Sequence, residues 1–198
     1  MVHPMLNNNS NNDSLYPWGG DFNTGTYTKN VAIVLLNINY TPSYEVAIHG
    51  KLKTENIGIE KIVANVISNP NIRYIVICGE DIRGHQSGKS LICLHTNGID
   101  ENNRIIDAPG AIPYIENIDK EAIKRFQDQI EIIDYINNTN HAEINEKINQ
   151  LLNFQTESFG EPYIAIQLKK ETKHITNDTR ALHSRITVDY MGKIEKRK

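Results

Sequence analysis

The chain has 198 residues, 39% of them hydrophobic, and a formal net charge of −3 at pH 7. That apolar share supports a core and excludes disorder throughout, while the near-neutral balance leaves no electrostatic footprint for nucleic acid. No window approaches the run of about 18 apolar residues that marks a membrane span, and the polar start has no apolar signal-peptide core, so a soluble, cytoplasmic protein is expected.

Residues 1–15 are Asn-rich and too polar to offset the entropy of ordering, which predicts a flexible lead before compact structure begins near Tyr16, Pro17 and Trp18. Residues 31–36 (VAIVLL) form a short continuous apolar run, the pattern of a strand covered on both faces. Residues 42–50 are ambiguous. Over 57–67, Ile59, Ile62, Val63, Val66 and Ile67 recur at helical spacing, with Thr54 or Asn56 as the cap and Asn69-Pro70 as the stop. Residues 72–78 read as a second buried strand that stops at Gly79. A polar loop over 80–88 leads into a helix over 89–96, closed by Asn97-Gly98.

Residues 107–113 carry prolines and a glycine and read as an ordered loop. Asp119 is the expected N-cap of the clearest helix, whose apolar face comprises Ile123, Phe126, Ile130 and Ile133. A further helix is expected over 141–152, a third strand over 163–168, and a hairpin over 185–196 turned at Met191-Gly192. Buried strands alternating with amphipathic helices predict an α/β fold, a Rossmann-like wound and mostly parallel sheet with helices on both faces, followed by the C-terminal hairpin extension. Ligands in such folds bind beyond the carboxyl ends of the strands, so the loop from Gly79 to Gly88 is the leading site candidate.

That loop admits several chemistries. Gly84-His-Gln-Ser-Gly-Lys-Ser90 is one residue short of a phosphate loop, although the helix start at Ser87, Gly88, Lys89 and Ser90 can offer N–H groups to an anion. Cys78, His85, Cys93 and His95 match no compact zinc module, and the two thiols, compatible with a reducing compartment, read as small buried hydrophobes. His95 suits the negative end of its helix. No Gly-x-Ser-x-Gly elbow is present, and Glu55, Glu80 and Asp81 offer only unpaired carboxylates for acid–base work. His85, in a glycine-flanked loop at the crevice end of a strand, is either a surface histidine or a nitrogen ligand for a transition metal.

Four stretches together carry a resemblance: residues 53–73, Cys78-Gly-Glu80 with Gly84-His-Gln-Ser-Gly88, residues 108–113, and residues 125–131. In order and spacing, over residues 16–168, they resemble the corrinoid-carrying subunit of tetrahydromethanopterin S-methyltransferase. The resemblance implies a corrinoid cofactor carrying cobalt, with His85 as the lower axial ligand. It implies transfer of a methyl group from methyl-tetrahydromethanopterin to coenzyme M through cobalt, in company with partner subunits. Gly79, Gly84, Gly88 and Ser90 are implied around that ligand. Lys53, Thr54, Glu55, Asn56 and Gly58 would form a second edge of the site, facing the corrin amides or the nucleotide tail. Pro109, Gly110, Ala111, Ile112 and Pro113 would form a third, mostly apolar edge. The general corrinoid signature Asp-x-His-x-x-Gly is incomplete, because Arg83 stands at the aspartate position. Glu80 or Asp81 is then expected to orient His85 in its place. The polar extension over 169–198 departs from the membrane anchor of the family's complex-bound form, which leaves corrinoid storage or delivery without transferase activity as the alternative reading.

Overall fold

The computed structural model describes residues 15–166 and three short strands within 181–196. Residues 1–14 of the flexible lead expected over 1–15, and the Met191-Gly192 turn, lie outside the described residues. The chain divides into two compact units at the boundary between Leu168 and Lys169.

The first unit runs β1 (Phe22–Thr24), β2 (Val31–Leu35), β3 (Ile48–Lys51), α1 (Ile57–Ile67), β4 (Tyr74–Gly79), α2 (Ser87–Asn97), α3 (Lys120–Gln129), β5 (Glu131–Ile136) and α4 (His141–Leu152). Its sheet has the order β1-β3-β2-β4-β5. β2 pairs in parallel with both β3 and β4, β4 with β5, and only β1 joins antiparallel, at the β3 edge. The fold is therefore mixed α/β around a mostly parallel sheet. In the second unit β6 (Ala181–His183), β7 (Ile186–Val188) and β8 (Ile194–Lys196) pair antiparallel in that order.

Alternating strand residues face opposite sides of the sheet, and the two cores separate accordingly. Ala32, Val34, Ile75 and Ile77 pack with Ile59 and Val63 of α1, Leu91 and Leu94 of α2, and Phe126 of α3. Val31, Ile33, Leu35, Val76 and Cys78 pack with Ile144, Ile148 and Leu151 of α4. This two-sided covering is why residues 31–36 and 75–78 read as unbroken apolar runs. Gln129, itself buried, donates from Nε2 to the carbonyls of Asn69 and Ile72 at 3.0 Å each, satisfying backbone beyond the end of α1.

The expected caps are present. Asn56 accepts from the Ile57 N–H at 2.8 Å and Thr54 from the Gly58 N–H at 3.0 Å, so both candidate residues serve α1. Asp119 accepts from the Ala122 N–H at 2.7 Å. Two expectations fail. The helix after Asp119 stops at Gln129, and Ile133 belongs to β5, where it pairs with Val76. The helical spacing of isoleucines runs on across the junction by coincidence, since short apolar stretches fit both periods. Residues 163–166 form no strand; Tyr163 makes one backbone bond to Ile67 and packs with Ala165 and Ile166 against the larger core. The ambiguous 42–50 segment leads into β3.

Candidate functional site

At the carboxyl ends of β2, β3 and β4 lies an open hollow of about 340 Å³. Its walls include Leu36 and Ile38 after β2, Leu52 and Lys53 after β3, and Glu80 and His85 after β4. Chain order reverses about β2, whose neighbours β3 and β4 lie on opposite sides, so the hollow occupies the switch point where wound sheets bind ligands.

The loop between β4 and α2 is shaped by its own backbone. Gly84 has φ +99 with open space where a Cβ would stand, and Gln86 takes the left-handed region at φ 43 and ψ 47 just before α2. The N–H groups of His85 and Gln86 both donate to the Ile82 carbonyl, at 3.1 and 2.9 Å, and so close a tight turn. Gln86 makes no side-chain cap. Asp81 performs that task, accepting from the N–H groups of Gly88 at 3.2 Å and Lys89 at 2.9 Å. The anion position expected at this helix start is thus filled by the chain's own carboxylate.

His85 projects from the turn with 58% of its side chain exposed, and its Nδ1 stands 3.0 Å from Oε2 of Glu55. Glu55 is buried, and its Oε1 accepts from the Ile112 N–H at 3.1 Å. Burial pushes the Glu55 carboxyl upward, but bonds from backbone N–H groups, including that of Ile112, and from His85 outweigh it and hold the carboxyl below its ordinary 4.5. An ionised Glu55 can only accept, so Nδ1 is the donor in this pair, and in the neutral form of the ring Nε2 is the nitrogen with the lone pair. The expectation that Glu80 or Asp81 would orient His85 is corrected here. Asp81 is committed to α2, Glu80 stands near the Asn37 amide at 3.5 Å, and the partner comes from 30 residues upstream.

The candidate residues do not all reach the surface. Lys53 is exposed and pairs with Asp21 at 2.8 Å. Thr54, Asn56 and Gly58 build the start of α1 as described. Gly79 is buried with φ +96, its missing Cβ leaving room for Ile38. Gly88 is buried beneath Leu36 and Ile136. Ser90 is fully buried and donates to the Gln86 carbonyl at 2.9 Å, so it braces the turn from within. Gly110 permits close approach, because a Cβ there would stand 2.7 Å from both Glu55 Cγ and the His85 carbonyl oxygen. Pro109, Ala111 and Ile112 are exposed, whereas Pro113 is buried and its carbonyl accepts from the Ile105 N–H at 2.8 Å. Residues 36–39 belong to the hollow and were missed; their place directly after a buried strand was the signal.

Each of the three loops that meet through Glu55 also presents one large apolar side chain to solvent: Ile57 at 47%, Ile82 at 56% and Ile112 at 60% exposure. Among the described residues no cluster of three or more His, Cys, Asp or Glu could hold a metal ion. Cys78 is buried and Cys93 half-buried, apart from any such group. Nε2 of His95 stands 2.7 Å from the Ile130 carbonyl, which requires that nitrogen to be the donor, and the ring packs edge-on against Phe126.

The family model MtrA, which describes the A-type subunit of tetrahydromethanopterin S-methyltransferase, matches residues 10–176. The chain belongs to this family. A Methanosarcina barkeri protein, provisionally named as the A-type component of a methyltransferase Mtx, is 45% identical over 157 residues, covering 79% of this chain and 80% of that one. The A-type tetrahydromethanopterin S-methyltransferase subunit of Methanosphaera stadtmanae is 43% identical over 155 residues, covering 76% of this chain and 62% of the relative. The first of two such subunits from Methanobrevibacter ruminantium is 39% identical over 180 residues, covering 84% and 74%. The chain thus spans less than two thirds of the Methanosphaera relative. Among the described residues no helix is long and apolar enough to cross a membrane.

Proposed function

We propose that this family member is the corrinoid-carrying component of a methyltransferase, built on a Rossmann-like sheet, with His85 as the protein ligand to cobalt. One observation supports the reading above the others: a half-exposed imidazole whose Nδ1 is held by a buried carboxylate, leaving Nε2 to donate. A macrocycle that holds its own metal ion would ask the protein for only one nitrogen donor. A lone oriented histidine fits that requirement. The exposed Ile57, Ile82 and Ile112 suit the broad, partly apolar macrocycle.

When bound, the corrinoid supplies the methyl-carrying chemistry. The chain's residues set its surroundings. Glu55 fixes the tautomer and direction of His85, as carboxylates do behind many metal-bound imidazoles. Asp81 and Ser90 hold the turn that presents it. The Ile112 N–H joins residues 109–113 to the same carboxylate, so that loop and the ligand share one anchor. Methyl-tetrahydromethanopterin as donor, coenzyme M as acceptor and partner subunits as the catalysts complete the proposal at family level.

The test is a titration of purified protein with cobalamin, followed by visible and paramagnetic resonance spectra. Wild type should give a nitrogen-ligated cobalt signature that His85→Ala removes. Identical spectra from both proteins would refute the assignment. Adding candidate partner subunits and coenzyme M to protein loaded with the methylated corrinoid separates carrier from store: loss of the methyl group to coenzyme M is expected, and its full retention favours storage.

A further inference from the structure

Among the described residues two acids are buried, Glu55 and Glu60. Glu55 stands behind His85, whereas Glu60, in the first turn of α1, does not line the hollow. All its contacts are N–H groups donating to the carboxylate. Oε1 accepts from the backbone N–H groups of Glu116 and Asn117, the second at 2.8 Å, and Oε2 accepts from the Asn117 side-chain amide at 2.7 Å. Among the described residues no cation pairs with it. A carboxylate taken out of water in this way is seldom the most stable choice for a buried position. The first turn of α1 lowers the cost, because the helix dipole favours negative charge there. What the acid contributes beyond stability is position.

The segment joining α2 to α3 is fastened twice to the start of α1. Glu55 takes the Ile112 N–H at 3.1 Å, and Glu60 takes the N–H groups of Glu116 and Asn117. The stretch between the two fastenings is stiff. Pro113 fixes its own φ, and its carbonyl accepts from the Ile105 N–H at 2.8 Å. The Tyr114 N–H donates to the Ile112 carbonyl at 3.0 Å, and Ile115 is buried. Such a stretch moves as one piece, so a displacement at 116–117 reaches Ile112. Gly110 leaves little slack at the other end, where a Cβ would stand 2.7 Å from both Glu55 Cγ and the His85 carbonyl oxygen.

We propose that Glu60 is a positioning residue for His85. It sets the place of residues 112–117, these hold Glu55 through the Ile112 N–H, and Glu55 fixes the proton on Nδ1 of His85. The inference deepens the reading of His85 as a metal ligand and rests on it for its purpose, while every contact in the relay lies within the chain.

The experiment reads the His85 tautomer by ¹⁵N NMR at about pH 9, where an ordinary imidazole is neutral. Wild type is compared with three variants. Glu60→Met keeps the length of the side chain and removes both acceptor oxygens. Asn117→Asp sets a second carboxylate against Glu60 from an exposed position, so it stays informative if the buried substitution unfolds the chain. Ile148→Val loosens the core on the opposite face of the sheet. Wild type and Ile148→Val should hold the Nδ1–H form. Glu60→Met and Asn117→Asp should show both tautomers and bind cobalamin about tenfold more weakly, the lower end of what loss of a group orienting a metal-bound histidine produces.

A wild-type tautomer in Asn117→Asp, or in Glu60→Met shown folded by circular dichroism, overturns the proposal. So does a mixture in wild type, or the same mixture in Ile148→Val, which would make Glu60 one support of the fold among many. If the tautomers behave as expected and wild type binds no cobalamin, the cobalt reading of His85 fails and the positioning role of Glu60 stands.

Discussion

Replacing Glu55 by glutamine tests the site with almost no change in shape. Glutamine can still accept the Ile112 N–H through its carbonyl oxygen, which places its amide NH₂ group against His85 Nδ1. That contact needs Nδ1 as the acceptor, which moves the imidazole proton to Nε2 and blocks the donor atom. Turning the amide over restores Nδ1–H but points NH₂ at the Ile112 N–H. Either arrangement forfeits one bond to an ionised group, worth about 1.5–3 kcal/mol. This corresponds to a loss of roughly 10–100-fold in affinity, the range found when a group orienting a metal-bound histidine is removed. The assay is the cobalamin titration by visible absorbance, with circular dichroism to show that the variant is folded. An unchanged affinity in folded Glu55→Gln would refute the argument that Glu55 sets the tautomer.

The same variant has a pH signature. Glu55 is held below its ordinary 4.5 in the folded protein, so the unfolded chain takes up the proton first as acid is added. Its stabilisation is complete above that value and is lost as pH falls through the lower folded-state value. Wild type should lose stability relative to Glu55→Gln across that acid window, and parallel urea midpoints from about pH 6 to about pH 3 would contradict it.

Three further outcomes are expected. Phe126 is fully buried where α3 meets the sheet, so Phe126→Ala should lower unfolding stability by about 3–5 kcal/mol in urea; a loss below about 1 kcal/mol would mean the core is not packed as described. Asp81→Ala removes the carboxylate that accepts two N–H groups at the start of α2 and should cost about 0.5–2 kcal/mol, whereas an unchanged melting temperature would show that water caps the helix equally well. Burial pushes the Cys78 thiol up to about 12, while Cys93 is only partly covered, so a chromogenic thiol reagent at about pH 8 should label Cys93 alone until the protein is unfolded. Labelling of Cys78 at the same rate would contradict its burial.

Much of the fold was legible because local rules and tertiary structure agree. The apolar runs at 31–36 and 75–78 report strands covered on both sides, and Asn56 and Asp119 announce their helices through the N–H groups they accept. β5 and β1 were not legible. β5 directly follows a helix with the same isoleucine spacing, and only its hydrogen bonds to β4 distinguish the two states. β1 is a three-residue edge with weak apolar content, defined by its antiparallel pairing with β3.

For the candidate site, sequence alone determined that a polar, glycine-bearing turn follows β4 and carries a histidine, because a polar stretch after a buried strand of a wound sheet lies at the strand's carboxyl end. Only tertiary structure decided which acid stands behind His85. Asp81 and Glu80 are nearer in the chain, but the helix start claims Asp81, and the packing of three loops around Gly110 brings Glu55 across instead. Chain proximity measures how cheaply two groups can meet; the positions of β3, β4 and α1 settle which ones do.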